Sequence, residues 1–422
     1  MKVLDQTLYK PNRKKLRRPE LLAPAGNLEK LKFAVLYGAD AVYIGGQQFG
    51  LRSKAGNFSI EDMAEGVRFA HEHGVKVYVA ANIIAHNEDF IGLEEYLRTL
   101  KELKVDAVII ADPAIIETCK EVAPGLEIHL STQASTTNWR AIQFWREEGV
   151  SRVVLARELS MEEIREIKVH TDAEIEVFIH GAMCMSYSGR CVLSNYMTSR
   201  DANRGGCAQS CRWRYNLLTE GDEGEEVPVF REDGEAFTMG SKDLALIEQI
   251  PQLIEAGVES LKIEGRMKTI HYVATVVGVY RQVIDAYIAD PEHFIFKEEW
   301  KKELLKAANR PITTAFFSRD PSHEDQIFGP SPKMVSFDFV GLVLAYDEKT
   351  GMALVEQRNH FAVGDEIEFF GPKRQNFSQK VEEIINEAGE SVDAARHPLE
   401  KVRIRVKEPV APYDMIRKEK SS

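Results

Sequence analysis

The strongest constraint on the fold is a phrase that recurs along the chain: LYGADAVYIGG, HEHGVKVYVAA, EEGVSRVVLAR and EAGVESLKIEG. Each copy reads as the end of a helix, a glycine or turn, and then a short apolar run rich in Val and Ile. Further runs of this kind give eight candidate strands: Glu20–Ala23, Ala41–Ile44, Lys76–Ala80, Ala107–Ala111, Glu127–Leu130, Arg152–Leu155, Glu174–Ile179 and Ser260–Ile263. Strands that are apolar nearly throughout are buried on both faces, as in a parallel sheet covered by helices. The segments between them have helical periodicity. Ile60, Met63, Val67 and Ala70 share one face, with Ser59 placed to cap the helix. Eight strands alternating with helices over about 250 residues predict a (β/α)8 barrel. A doubly wound open sheet is the alternative, since periodicity does not show closure.

One interval breaks the rhythm. The seventh strand ends near Gly181, and the helix leading to the eighth begins near Leu244. Connections of this type usually run to a few residues. The long one leaves the C-terminal end of a strand, the face on which barrels carry their active sites. After a helix around Tyr272–Ile288, residues 309–335 are rich in proline and read as a connector. From Phe337 to Val406 short alternating strands predict a small antiparallel β-barrel. The expected organisation is a basic arm (1–19), a barrel (20–290) with a Cys-rich insertion (182–240), a connector (291–335), a small β-barrel (336–410) and a disordered tail (411–422). A hairpin is expected within NLLTEGDEGEEVPVFREDGEAFTMG.

Four of the five cysteines, Cys184, Cys191, Cys207 and Cys211, fall within the insertion. No run of about 18 apolar residues predicts a membrane span, and the basic N-terminus lacks the apolar region of a secretory signal. The expectation is a cytoplasmic protein, in which clustered thiols stay reduced and bind metal rather than pair as disulfides. Gly, Ser, Asn and Arg surround them, so they do not read as core residues. Structural zinc usually takes two close pairs, whereas only Cys207 and Cys211 are close here. The spacing leans to an iron–sulfur cluster, whose irons occupy separate corners, with zinc as the alternative. Cys119 lies on an amphipathic helix and reads as core.

The formal charge is −12, with two basic islands. Residues 1–18 carry seven Lys or Arg against one acid. Residues 184–216 carry Arg190, Arg200, Arg204, Arg212 and Arg214 against Asp201. Solvated surface charge is the competing reading, although in the second island arginines interleave with the cysteines. Polar residues at strand ends supply further candidates. Arg52, Arg157 and Arg266 could converge on an anion, because guanidinium forks fit carboxylates and phosphates. Glu158, His180 and Glu264 could move protons. Buried polar pairs closing the barrel interior are the alternative for each. No HExxH helix, GxSxG elbow or Walker loop is present.

The stretch EVFIHGAMCMSYSGRCVLS, Glu176–Ser194, resembles the signature of peptidase family U32, the collagenase-like family. Glu176, Phe178, Gly181, Ala182, Met183, Cys184, Gly189, Cys191 and Ser194 match it in order. ELLAPAGN, GADAVYIGG, SKDL and KIEGRMK look like the same family, so the resemblance spans the chain. Within the family the chain looks most like the tRNA hydroxylation branch. This resemblance implies a 4Fe-4S cluster on Cys184, Cys191, Cys207 and Cys211. It also implies oxygen-independent 5-hydroxylation of wobble uridine, with prephenate as co-substrate held by the barrel-end arginines. The partners expected are tRNA, a paralogous subunit of the family, and no membrane. Arg212 and Arg214 could then track phosphates, and Tyr187 and Trp213 could stack on an unpaired base. The family name implies a peptidase instead. A non-catalytic RNA-binding partner is a third possibility.

Overall fold

The computed structural model describes residues 16–51, 56–213, 218–220, 226–228, 240–327 and 337–420. Eight parallel strands form its centre: β1 (Glu20–Pro24), β2 (Ala41–Gly45), β3 (Lys76–Ala81), β4 (Ala107–Ile110), β5 (Glu127–Leu130), β6 (Arg152–Val154), β7 (Glu174–Ala182) and β8 (Ser260–Ile263). Each neighbours the next in chain order, and β8 pairs with both β7 and β1, so the sheet closes. Closure removes both sheet edges and decides against the open-sheet alternative.

Helices α1 (Leu28–Leu36), α2 (Ile60–Glu72), α3 (Leu93–Glu102), α4 (Pro113–Val122), α5 (Trp139–Glu147) and α6 (Met161–His170) alternate with these strands. Ser59 caps α2 by accepting from the Asp62 N–H, and Asp112 caps α4 ahead of Pro113. The glycines of the recurring phrase sit just past helix ends with positive φ: Gly38 (107°), Gly74 (72°), Gly149 (88°) and Gly257 (80°). That left-handed turn ends the helix and redirects the chain into the next strand. Cys119 is fully buried on α4, as expected of a core residue.

Between β7 and β8 come a short helix α7 (Leu193–Thr198) and a two-stranded ladder pairing Leu218–Glu220 with Glu226–Pro228, which matches the expected hairpin. The strand Asp243–Ala245 then pairs antiparallel with the end of β7, ahead of α8 (Ile250–Glu255). After β8, α9 (Ile270–Ala289) buries fourteen of its twenty residues. No helix among the described residues is long and apolar enough to cross a membrane.

The span read as a connector is built structure. It contains α10 (Glu298–Leu305), with Trp300 and Leu304 buried. Two of its two-residue strands pair back onto the barrel domain, Ile312–Thr313 with Asp243–Leu244 and Gln326–Ile327 with Gly240–Ser241. Strands this short leave no periodicity among prolines, so composition alone suggested a linker.

The C-terminal unit is antiparallel β structure, as expected, in the form of a half-barrel. Its main strands are β9 (Phe337–Asp347), β10 (Met352–Gln357), β11 (Glu366–Phe370), β12 (Phe377–Lys380), β13 (Lys401–Arg405) and β14 (Met415–Glu419). The order β12-β11-β14-β9-β10-β13 continues into two short strands and does not return on itself among the described residues. Two register shifts in β9 curl the sheet around a core that includes Val343, Val355, Phe369 and Ile404.

Residues Ile416–Glu419, read as part of a tail, belong instead to a central strand. Met415, Ile416 and Arg417 are fully buried, and β14 lies between β9 and β11. Arg417 tolerates burial because Glu303 of α10 and Glu368 of β11 neutralise it, at 2.5 Å and 2.8 Å. A charged composition therefore concealed an interior strand. Leu342, Phe370 and Met415 pack into the barrel's own core, and Tyr37 Oη donates to the Tyr413 carbonyl at 3.0 Å.

Candidate active site

The lumen of the barrel is polar at its N-terminal end. Glu20 accepts from Tyr78 Oη at 2.6 Å and pairs with Arg152 at 2.6 Å. Glu176, fully buried on β7, pairs with Lys262 of β8 at 2.6 Å and accepts from Ser260 Oγ at 3.1 Å. Burial alone would push the Glu176 carboxyl up, but Lys262 and Arg152 outweigh it and hold the group below the usual range. This layer closes the barrel floor.

Above it a cavity opens at the C-terminal mouth. Its walls come from Tyr43, Ala80, Ile109, Arg157, Phe178 and Lys262 at or just after successive strands, together with Glu264 and Arg266 after β8. All four clustered cysteines line the same cavity from above. None is in a disulfide, and Cys184 is the most exposed of them.

Specific contacts hold the cysteine segment over the mouth. Ser188 donates its N–H to Glu158 Oε1 at 2.9 Å and its hydroxyl to Oε2. Asn203 brackets Cys191, accepting from its N–H at 3.3 Å and donating to its carbonyl at 3.0 Å. The Leu193 N–H donates to Cys191 Sγ at 3.4 Å. Arg204 reaches across to Glu88 (2.6 Å) and Asp89 (2.8 Å), and Arg190 Nε donates to the Gln133 carbonyl at 3.3 Å. Two arginines of the basic island are thus engaged in anchoring the segment.

The mouth gathers cations. The Arg157 guanidinium lies 3.9 Å from the centre of the Phe178 ring, with Nη1 4.0 Å from Cys184 Sγ. The Lys262 ammonium sits 4.6 Å from the Tyr43 ring and 5.4 Å from Phe178. Arg266 is buried against Gly45, where a β-carbon would come within 1.9 Å of its guanidinium. Glu264 Oε2 accepts from Tyr43 Oη at 3.1 Å. Asn82 donates to Ser131 Oγ (3.3 Å) and Gln133 Oε1 (3.2 Å) on the facing wall.

Of the residues singled out from sequence, Arg157, Glu264, Arg266 and the four cysteines meet at this cavity. Glu158 does not line it but supports Ser188 from behind. His180 also lies elsewhere. The β7–β8 register slips by one residue between Phe178 and His180, and His180 packs against Tyr280 of α9, whose hydroxyl is 3.3 Å from Nδ1. Burial lowers its pKa to about 4, Asp243 opposes this and Lys268 adds to it, so the ring is neutral near pH 7. Tyr187 and Trp213 stand on the outer surface of the insertion, 51% and 44% exposed, with Tyr196 84% exposed nearby. Arg52 and Arg214, and the side chain of Arg212, lie outside the described residues. Tyr43 and Lys262 were given no role from sequence, and Phe178 entered only through the family signature. Strand alternation carried the usable signal, since it places Glu176 and Phe178 on the lumen side of β7 facing β8.

Among the described residues no three His, Cys, Asp or Glu side chains are close enough to hold a single ion. Four unbridged thiols line one cavity, a donor set that zinc and iron–sulfur clusters both use.

Fold and site together define a (β/α)8-barrel protein whose mouth is capped by a four-cysteine insertion and followed by an antiparallel half-barrel. Residues 26–327 match Peptidase family U32, and residues 336–417 match the Peptidase family U32 C-terminal domain. The chain belongs to peptidase family U32. It is 60% identical to tRNA hydroxylation protein P1 of Bacillus subtilis, covering 96% of both chains. It is 37% identical to tRNA hydroxylation protein P of Escherichia coli, covering 90% of this chain and 91% of that one. The 23S rRNA 5-hydroxycytidine C2501 synthase of Escherichia coli is 42% identical over 273 residues, covering 65% of this chain and 40% of that protein.

Proposed function

We propose that this protein is an RNA-modifying enzyme that hydroxylates carbon 5 of the wobble uridine of tRNA, independently of oxygen, with prephenate as co-substrate and a 4Fe-4S cluster as cofactor. The observation that carries the reading is that four cysteines and three cations line one cavity at the barrel mouth. The names of the relatives support RNA as the substrate.

In this reading Cys184, Cys191, Cys207 and Cys211 hold the cluster, which would supply one-electron redox chemistry at the cavity. Arg157, Lys262 and Arg266 hold the carboxylates of prephenate. Glu264, kept in place by Tyr43 Oη, is the carboxylate placed to take a proton at Oε2. Tyr187, Tyr196 and Trp213 offer exposed faces on which unpaired bases could stack. Glu158 positions the cysteine segment and His180 supports the fold.

The peptidase reading needs a nucleophile paired with a base. Ser188, beside the cysteines, hydrogen-bonds the Glu158 carboxylate and makes no hydrogen bond to a histidine among the described residues. Protein purified without oxygen should carry about four iron atoms per chain and convert unmodified tRNA to 5-hydroxyuridine when prephenate is supplied. A colourless protein holding one zinc, or peptide cleavage that survives replacement of all four cysteines, would overturn this reading.

A further inference from the structure

The side of the cavity contributed by β3 and β5 is neutral and built from two amides and a hydroxyl. Asn82 follows β3, Ser131 follows β5, and Gln133 stands in the short turn Thr132–Ala134 just beyond it. All three line the cavity. A backbone N–H fixes which way the amides point. The Leu51 N–H donates to Asn82 Oδ1 at 3.4 Å, so the Asn82 amino group faces the other way and donates to Ser131 Oγ at 3.3 Å and Gln133 Oε1 at 3.2 Å. The Ser131 hydroxyl donates to the same Gln133 oxygen. Turning either amide over would set amino group against N–H. Gln133 Oε1 therefore receives two donors, and Nε2 keeps both of its N–H groups, for which no acceptor stands among the described residues. The turn itself is held. The Gln133 carbonyl accepts from Arg190 at 3.3 Å, and Thr132 Oγ1 donates to the Leu155 carbonyl at 3.1 Å.

We propose that Gln133 is a specificity-determining residue, whose Nε2 donates to the oxygen on carbon 4 of the target base and so selects uridine over cytidine. This inference rests on the hydroxylation reading and adds to it the group that reads the base. Asn82 and Ser131 are positioning residues, because they occupy the Gln133 oxygen and leave only donors to the cavity. Uracil offers an acceptor on carbon 4, whereas cytosine offers an amino group there, which would set donor against donor. A site whose polar groups are left unpaired by the wrong substrate discriminates strongly against it. Carbon 4 is bonded to carbon 5, so a donor that holds O4 also positions the carbon that receives the hydroxyl. An uncharged donor suits the uncharged base, while the cations contributed by β8 and the loops after β6 and β8 suit an acid.

The test offers the anaerobically purified full-length protein two tRNA transcripts that differ only in uridine or cytidine at the wobble position. Fluorescence anisotropy reads binding, and nucleoside mass spectrometry reads turnover. Gln133→Glu keeps an oxygen for Asn82 and Ser131 and replaces the amino group by an acceptor. Gln133→Met removes donor and acceptor together. Circular dichroism and iron content verify that each variant is folded and loaded. Wild type should favour the uridine transcript in binding and in kcat/KM. Gln133→Glu should lower that ratio about tenfold or more, by losing uridine and gaining cytidine. Gln133→Met should lose uridine without gaining cytidine. A merely structural Gln133 would lower both transcripts alike, so an unchanged ratio in folded Gln133→Glu would overturn the proposal and leave the hydroxylation reading standing. A change confined to the KM for prephenate would overturn it too, because this side of the cavity would then belong to the acid. Wild type that binds the transcripts but hydroxylates neither would end the hydroxylation reading. The binding ratio then decides on Gln133: a uridine preference lost in Gln133→Glu supports it, and absence of binding or of preference in wild type overturns it.

Discussion

Ser188 gives both its backbone N–H and its hydroxyl to the Glu158 carboxylate, which ties the turn between Cys184 and Cys191 to the loop after β6. The ends of two barrel strands therefore fix the position of the cysteine cage. Glu158→Ala leaves two donors without their acceptor, at about 1–3 kcal/mol. The expected outcome is a folded barrel with reduced iron retention and faster thiol alkylation at Cys184 and Cys191. Iron content and alkylation mapped by mass spectrometry check it. Unchanged values would mean that the cage holds itself in place.

The buried Lys262–Glu176 pair makes a separate prediction about stability. Removing one partner of a buried ion pair costs about 3–5 kcal/mol, so Lys262→Met should lower the melting temperature markedly, and Lys262→Gln/Glu176→Gln should recover part of the loss. The carboxyl of Glu176 is held low in the fold. Its contribution is therefore present above the unfolded carboxylate value of about 4.3 and is lost as pH falls through the lower folded value. Melting curves of the three proteins at pH 7 and pH 4 read this directly.

Two buried histidines should make the fold sensitive to mild acid. Burial lowers His180 to about 4, with Asp243 opposing and Lys268 adding. Burial and then Arg417 lower His271 to about 3. Both are neutral when folded and take up a proton on unfolding below about 6.5, so their contribution is complete above that pH and declines as pH falls toward the folded values. Each adds roughly 1.4 kcal/mol per pH unit to the slope of stability between about pH 6 and 5. His271 is stacked on Phe339 and edge-on to Phe370, so His271→Phe should fit and remove its share of the slope. Urea unfolding at pH 7, 6 and 5 measures it. A slope unchanged by the substitution would contradict the assignment.

Gly45 is where β2 makes room for Arg266. A methyl there would fall on the guanidinium, and the end of a long side chain yields more readily than backbone. Gly45→Ala should therefore displace Arg266 and weaken prephenate-dependent activity about tenfold or more, with a stability loss of only about 1–3 kcal/mol. Kinetics beside thermal melting separate the two effects. Equal activity would place Arg266 outside the reaction.

The barrel was legible because its strands are apolar throughout and each recurring phrase carries a glycine that ends a helix. The gathering of four cysteines at one cavity was legible because cysteines rarely cluster by chance. Elsewhere the signal was local chemistry that only tertiary contact explains. Arg417 reads as a solvated tail residue until Glu303 and Glu368 are placed beside it. His180 reads as a strand-end base, but the register slip before it turns it toward α9. Lys262 reads as one lysine within a strand, and only closure of β8 against β7 brings it to Glu176 and the cavity.

We propose that the cysteine-capped mouth carries out tRNA hydroxylation. The most direct test is nucleoside mass spectrometry of tRNA from a host lacking this gene and any paralogue, complemented with wild type or with Cys207→Ser/Cys211→Ser. Wild type should restore 5-hydroxyuridine and the double variant should not, at equal protein levels. Full restoration by the double variant, or no difference between wild type and the empty host, would contradict the account.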